Sequence, residues 1–131
     1  MDFPKELKYL KSHEYIKVLP GNQAIVGITS YASGELGDVV YVELPETGKI
    51  FKTSEKFGVI ESVKSVSELY IPNSGKIIEV NKDLNDHPEY VNQDTYGKGW
   101  MIKIELTEDL SKNKELISAD EYAKFVLAQT H

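Results

Sequence analysis

The stretch Phe57-Gly58-Val59-Ile60-Glu61-Ser62-Val63-Lys64-Ser65-Val66-Ser67-Glu68-Leu69-Tyr70-Ile71 is typical of a β-hairpin. Residues 57–62 and 67–71 are rich in β-branched and aromatic side chains, which favour strands. The Pro72 to Gly75 segment that follows is typical of a turn. Only residues 63–66 separate the two strands, so we expect Lys64 to lie at the tip of the hairpin.

The residues before this hairpin also predict short strands separated by turns. Residues 15–19 and 24–29 flank Pro20-Gly21-Asn22 and predict a second hairpin. A short helix over residues 30–36 is expected next, closed by Gly37, and residues 39–44 predict another strand. Strands at such close spacing indicate a sandwich or a barrel.

After the Lys64 hairpin, the sequence predicts two more strands and one helix. Residues 76–80 and 100–106 have strand character, and a polar connection rich in Asn and Asp joins them. The Ser118-Ala119-Asp120-Glu121 segment is a capping box that predicts the start of a helix. Tyr122, Phe125 and Val126 follow at helical spacing, so this helix should pack an apolar face on the β core. We expect residues 1–131 to form one domain.

Composition excludes several classes of function. The chain has 131 residues, a net charge of −6 and no cysteine, which rules out thiolate catalysis and Cys-ligated metal centres. All 15 basic residues are lysine, so the bidentate guanidinium contacts that favour nucleic-acid binding are absent. No apolar run approaches the roughly 18 residues that a membrane span needs, and no signal peptide is evident. We expect a soluble, unexported protein with neither a nucleic-acid nor a membrane partner.

The sequence does not predict a metal site or an autonomous active site. His13, His87 and His131 do not form a pair at metal-ligand spacing, and the residues alone favour a surface or edge-strand position for His13. Gly97-Lys98-Gly99 opens onto a strand and lacks the third glycine of a dinucleotide fingerprint. The serines lack a nucleophile-elbow motif.

Lys64 itself has two interpretations. An exposed lysine in a turn is solvated in most proteins, and the residues alone favour that interpretation. The functional alternative is that an amine on a rigid, protruding tip is presented to a modifying enzyme and then anchors a prosthetic group. In that case the chemistry belongs to the cofactor.

Several segments together resemble the glycine cleavage system H protein family. Residues 58–65 and 72–81 resemble the lipoylation site of that family. Further blocks match in order and spacing, namely 12–14, 27–32, 36–45 and 96–100. The resemblance implies lipoate in amide linkage to Lys64, within a lipoylation motif that includes Gly58, Glu61, Ser62 and Val63. It also implies a mostly β fold: an antiparallel β-sandwich (a barrel-sandwich hybrid, similar to biotinyl/lipoyl domains) with short helices and a C-terminal helix.

The resemblance further implies that the chain is a non-catalytic carrier. Pyridoxal-phosphate-dependent glycine decarboxylase (P protein) would load an aminomethyl group onto the arm while CO₂ leaves. A tetrahydrofolate-dependent aminomethyltransferase (T protein) would then remove that group, and dihydrolipoyl dehydrogenase (L protein) would reoxidise the dithiol. A lipoate ligase or a lipoyl/octanoyl transferase would attach the arm. The expected location is a bacterial or archaeal cytoplasm, or the mitochondrial matrix for a processed organellar chain.

A cleft that shelters the loaded arm is also implied. An aminomethyl thioether is prone to hydrolysis, so limiting water and holding the amine would benefit a carrier. Ser12 and Glu14 match positions that line this cleft in the family, and Glu68 stands where relatives often have Asp. Glu35 lies in the short-helix region that faces the cleft in the family.

Three other functions remain open from the sequence. The lipoylated chain could act as a relay that donates lipoyl or octanoyl groups to other carriers during lipoate biosynthesis. A biotinyl carrier shares the hairpin design, but Val63 and Ser65 replace the methionine-rich flanks typical of a biotinylated lysine. An unmodified paralogue that only binds partners would retain the same motif.

Overall fold

A computed structural model of the chain describes residues 2–129, which fold into two antiparallel sheets, four α-helices and one 3₁₀ turn at Leu110–Lys112. The nine strands are β1 Lys8–Tyr9, β2 Glu14–Leu19, β3 Gln23–Ile28, β4 Val39–Glu43, β5 Ile50–Phe51, β6 Lys56–Ser62, β7 Val66–Tyr70, β8 Gly75–Val80 and β9 Ile102–Leu106. The helices are α1 Ser30–Leu36, α2 Asp83–Asp86, α3 Tyr90–Gln93 and α4 Ala119–Gln129. No helix in this part of the chain is long and apolar enough to cross a membrane.

The two sheets have different sizes and enclose one apolar core. The larger has the strand order β1-β2-β3-β9-β8-β5, and the smaller has the order β4-β6-β7. Inward-facing side chains of β2, β3, β8 and β9 meet those of the smaller sheet in this core, among them Ile16, Val26, Ile77 and Ile104. The predicted antiparallel β-sandwich with short helices and a C-terminal helix is confirmed.

Helix α1 is bounded by the residues that the sequence predicted. The side chain of Thr29 accepts a hydrogen bond from the Ala32 N–H at the helix start. Gly37 follows the last turn with φ +77°, a left-handed conformation that favours glycine, and its N–H donates to the Ser33 carbonyl. The helix therefore stops abruptly, and the chain turns directly into β4.

Helix α4 packs on the β1 and β2 end of the larger sheet. The capping box is formed: the Ser118 hydroxyl accepts from the Glu121 N–H, and the Glu121 carboxylate accepts from the Ser118 N–H. Tyr122 and Val126 are buried in a second apolar cluster with Leu7, Tyr9 and Tyr15, while Phe125 is partly buried against it. This cluster ties the C-terminal helix to the first strands of the chain.

Candidate functional site

The turn that carries Lys64 is organised by the side chain of Ser62. The Ser62 N–H donates to the Ser65 carbonyl over 2.8 Å, while the N–H groups of Ser65 and Lys64 approach the Ser62 hydroxyl at 3.1 and 3.3 Å. Tight hairpins usually use mirror-image turns with positive φ. Among the described residues, neither Val63 nor Lys64 has a positive φ. The serine hydroxyl thus serves as the acceptor for this turn.

Strand β4 holds one side of the same turn. Val39 pairs with Ser62, and the Val63 N–H donates to the Asp38 carbonyl over 3.0 Å. Further along β6, a Cβ atom on Gly58 would collide with the Glu43 carbonyl oxygen, so only glycine allows the two strands to approach this closely. The tip is therefore anchored to β4 through backbone contacts.

The side chain of Lys64 is exposed and runs past the end of α1. A Cβ atom added at Gly37 would lie 3.3 Å from Lys64 Cε and 3.9 Å from Lys64 Nζ. Within residues 2–129, the ion pairs involve other residues, His87 with Glu89 and Lys103 with Glu79. An amide bond at Nζ would therefore break no ion pair, and the exposed amine fits covalent attachment of an acyl group.

A cavity of about 290 Å³ lies beside this turn, between α1, strand β7 and the segment that leads into β2. Its floor is apolar, and its rim carries hydroxyl and carboxyl groups. The lining residues are Ser12, His13, Glu14, Ile28, Tyr31, Ala32, Glu35, Leu36, Ile60, Ser65, Ser67, Glu68 and Leu69. Ser65 directly follows Lys64, so the hairpin tip and the cavity form a continuous surface.

Glu14 is the most deeply buried carboxyl group in this cavity, with 1% of its surface exposed. One carboxylate oxygen accepts from the Ser12 hydroxyl at 2.5 Å, and the other accepts from the Tyr70 N–H at 3.0 Å. Burial raises the pKa of Glu14 to about 7, although the two hydrogen bonds oppose this shift. The group can therefore gain or lose a proton near neutral pH, and a bound cation would favour the carboxylate.

Two further carboxyl groups flank the cavity from opposite sides. Glu68 on β7 accepts a hydrogen bond from the Tyr70 hydroxyl at 2.9 Å. Glu35 on α1 interacts with the nearby Tyr31 hydroxyl and raises the pKa of that tyrosine. Together with Glu14, these groups surround the apolar floor with negative charge. Such an arrangement favours a ligand with an apolar stem and a cationic end.

His13 lies directly before β2 and lines the cavity, which its predicted surface or edge-strand position did not specify. The residue is half-buried, has φ +79°, and places Nδ1 at 2.7 Å from the Tyr122 hydroxyl. Burial lowers the pKa of His13, and the nearby charge of Glu35 opposes that shift. The sequence offered one signal that His13 lines the cavity. His13 lies between Ser12 and Glu14, which are both predicted cleft residues, and adjacent residues at the start of a strand can face one cavity.

The structure brings all four predicted cleft residues, Ser12, Glu14, Glu35 and Glu68, to this one cavity. Glu61 lies elsewhere: it pairs across the small sheet with Tyr41 and Val66. Sequence reasoning did not identify Tyr31, Ser65 and Ser67 as lining residues.

Across residues 2–129, no three His, Asp or Glu side chains cluster as metal ligands, and His131 lies outside the described residues.

A β-sandwich that presents an exposed lysine on an anchored turn beside a cavity has the architecture of a carrier domain of the biotinyl/lipoyl class. Residues 7–129 match the family described as Glycine cleavage H-protein. The chain belongs to this glycine cleavage H-protein family, and its function is that of a carrier protein of the glycine cleavage system.

Individual relatives support this assignment over nearly the whole chain. The glycine cleavage system H proteins of Staphylococcus carnosus and Staphylococcus epidermidis are 52% and 54% identical over 126 residues, covering 96% of this chain and 98% of each relative. The crystal structure of a glycine cleavage system H protein from Mycobacterium marinum has 40% identity and a TM-score of 0.85. That comparison covers 93% of this chain and 97% of the other.

Proposed function

We propose that Lys64 carries lipoate in amide linkage and that the chain shuttles the aminomethyl group of glycine without catalysing a reaction itself. The observation that carries this proposal is the position of an exposed lysine, which takes no part in the ion pairs of residues 2–129, on an anchored turn beside a carboxylate-lined cavity. Lipoate bound there would supply a dithiol that holds the aminomethyl group. A lipoate ligase or a lipoyl/octanoyl transferase would form the amide bond at Nζ.

The chain's own residues hold and release the cargo. The apolar floor, which includes Ile60 and Leu69, excludes water from the cavity. The Glu14 carboxylate accepts hydrogen bonds from the ammonium end of the loaded arm, and Ser12 keeps that carboxylate in place. Glu68 and Glu35 add negative charge from β7 and α1. Shielding of the amine from water slows hydrolysis between partners.

The partners follow from this role. Glycine decarboxylase (P protein) would load the arm, aminomethyltransferase (T protein) would remove its cargo, and dihydrolipoyl dehydrogenase (L protein) would restore the disulfide. Each reaction needs the arm outside the cavity, so the cavity must bind its cargo reversibly. We propose a cytoplasmic location for this exchange.

Replacement of Lys64 tests the attachment site. In the presence of lipoate and a lipoate ligase, we expect the native chain to gain one lipoyl group and Lys64→Ala to gain none, because the acceptor amine is lost. Intact mass followed by peptide mapping measures both outcomes.

Lys56→Ala is the matched control, since Lys56 is an exposed lysine at the opposite end of the same hairpin. It should be modified as efficiently as the native chain. A lipoyl group on Lys64→Ala would refute the assignment of Lys64, and an unmodified native chain would favour a partner-binding paralogue.

A further inference from the structure

The C-terminal helix contacts the cavity wall through a chain of three polar side chains. The Thr29 hydroxyl lies 2.7 Å from the Tyr122 hydroxyl, which lies 2.7 Å from Nδ1 of His13. Thr29 and Tyr122 have no exposed surface, while His13 lines the cavity. The residues belong to three parts of the fold: the start of α1, helix α4 and the segment before β2.

Donor counting fixes the direction of these hydrogen bonds. Thr29 Oγ1 already accepts from the Ala32 N–H at 3.2 Å, and the only acceptor that the described residues offer its own proton is Tyr122 Oη. Tyr122 must then donate its proton to His13 Nδ1. The reverse direction would leave the buried Thr29 hydroxyl proton without an acceptor, which costs about 1–3 kcal/mol. His13 Nδ1 is therefore an acceptor, and the ring proton resides on Nε2.

The backbone of His13 holds the ring in this position. Its φ of +79° is uncommon for a residue with a side chain, although histidine adopts it more readily than most. The conformation is fixed by two hydrogen bonds, from the His13 N–H to the Leu10 carbonyl and from the Thr29 N–H to the His13 carbonyl. The ring centroid also lies 4.9 Å from that of Tyr31.

Charged and titratable groups surround His13 from every neighbouring element. Carboxylates favour its protonation, whereas burial and a hydrogen bond donated to Nδ1 oppose it. The charged and titratable groups around His13 are Tyr31 and Glu35 on α1, Tyr122 on α4, Lys11 and Glu14 on either side of His13 in sequence, and Glu68 across the cavity on β7. If His13 were protonated, its Nδ1–H would have to donate to the Tyr122 hydroxyl oxygen. That reversal would break the series of hydrogen bonds that runs from Thr29 through Tyr122 to His13.

We propose that Tyr122 is a positioning residue that keeps His13 uncharged as the Nε2–H tautomer, so that the cavity wall selects a cationic head group. A charged imidazole would cancel part of the carboxylate field of Glu14, Glu35 and Glu68. The selection step rests on the proposed carrier function. The tautomer and the charge of His13 do not depend on lipoate.

Long-range ¹⁵N NMR of the full chain tests the tautomer directly. We expect Nδ1 to resonate as the unprotonated ring nitrogen at neutral pH and Nε2 as the protonated one. In Tyr122→Phe the donor is lost, so His13 should titrate at a higher pH than in the native chain. Tyr9→Phe is the matched control, because Tyr9 stacks on Tyr122 with ring centroids 4.8 Å apart but donates its hydroxyl proton to the Pro4 carbonyl.

The selection step has its own measurement on the lipoylated, aminomethyl-loaded carrier. At mildly acidic pH, Tyr122→Phe should lose its cargo several-fold faster than Tyr9→Phe. Above neutral pH, the two variants should lose their cargo at the same rate. An Nδ1–H tautomer or an imidazolium in the native chain at neutral pH would overturn the proposal, as would unchanged titration in Tyr122→Phe. If Tyr122→Phe and Tyr9→Phe had equal cargo lifetimes at both pH values, only the selection step would be overturned. A native carrier that takes up no cargo would instead contradict the proposed function.

Discussion

Glu14 has a larger effect on the cavity than its single charge suggests, because it links its own segment to strand β7. Its carboxylate accepts from Ser12 on the same segment and from the Tyr70 backbone on β7. The Tyr70 N–H lies at the outer edge of β7, so Glu14 satisfies a donor that no strand pairs. Burial makes the charged form costly in the folded protein, so the binding role that we propose for Glu14 comes with a stability cost.

Glu14 therefore predicts a specific dependence of stability on pH. Its pKa rises from 4.5 in the unfolded chain to about 7 in the folded one, so the folded state binds the proton more tightly. Stabilisation is complete below pH 4.5 and is lost as pH rises through 7, by about 3 kcal/mol. In Glu14→Gln we expect this loss between pH 4.5 and 8 to disappear. Urea unfolding at several pH values measures it.

Glu43→Gln is the control, because Glu43 is an exposed carboxylate on β4. It should retain the pH dependence of the native chain. If Glu14→Gln loses as much stability between these pH values as Glu43→Gln does, the raised pKa of Glu14 is wrong.

At the scale of elements, the Lys64 hairpin depends on close contact between β4 and β6. Gly58 is part of the predicted lipoylation motif, and the structure gives it a packing role against the Glu43 carbonyl. Its place in the motif is thus explained without contact with an enzyme. The hairpin presents the lysine correctly only if β4 remains beside it.

Two glycine substitutions separate this packing role from general effects of adding a methyl group. Gly58→Ala should destabilise the fold by about 1–3 kcal/mol because the strands must separate. Gly34→Ala, on the exposed face of α1 with open space around its Cβ position, should stabilise it by up to about 1 kcal/mol. Denaturant unfolding measures both. Equal effects of the two substitutions would refute the proposed close contact.

The hairpins, the sandwich class and helices α1 and α4 could be predicted from the sequence. Each of these elements either is long enough to show a periodic pattern or ends at recognisable capping residues. Helices α2 and α3 were missed: each has four residues, too few to display a helical period, so residues 81–99 were interpreted as a polar connection. Strands β1 and β5 have two residues each and arise from tertiary pairing. The cavity position of His13 was not predicted, because its ring position depends on Tyr122, which is 109 residues away in sequence.

At the scale of the whole molecule, the small sheet presents the lysine, while α1 and the segment before β2 complete the cavity. Gly37 connects these parts, because the stem of Lys64 passes over it where α1 ends. An arm rooted at Lys64 thus begins at the end of the helix that forms one cavity wall. We propose that this lysine and this cavity act as one carrier site.

The most direct test is the lifetime of the aminomethyl group on the lipoylated native chain, Glu14→Gln and Glu43→Gln after loading with glycine and glycine decarboxylase. Intact mass followed over time at pH 8 reports the loss of cargo. We expect the lifetime to fall about tenfold in Glu14→Gln, because a charge-assisted hydrogen bond becomes a neutral one. Glu43→Gln should match the native chain. Equal lifetimes in all three would contradict the claim that the cavity shelters the arm on Lys64.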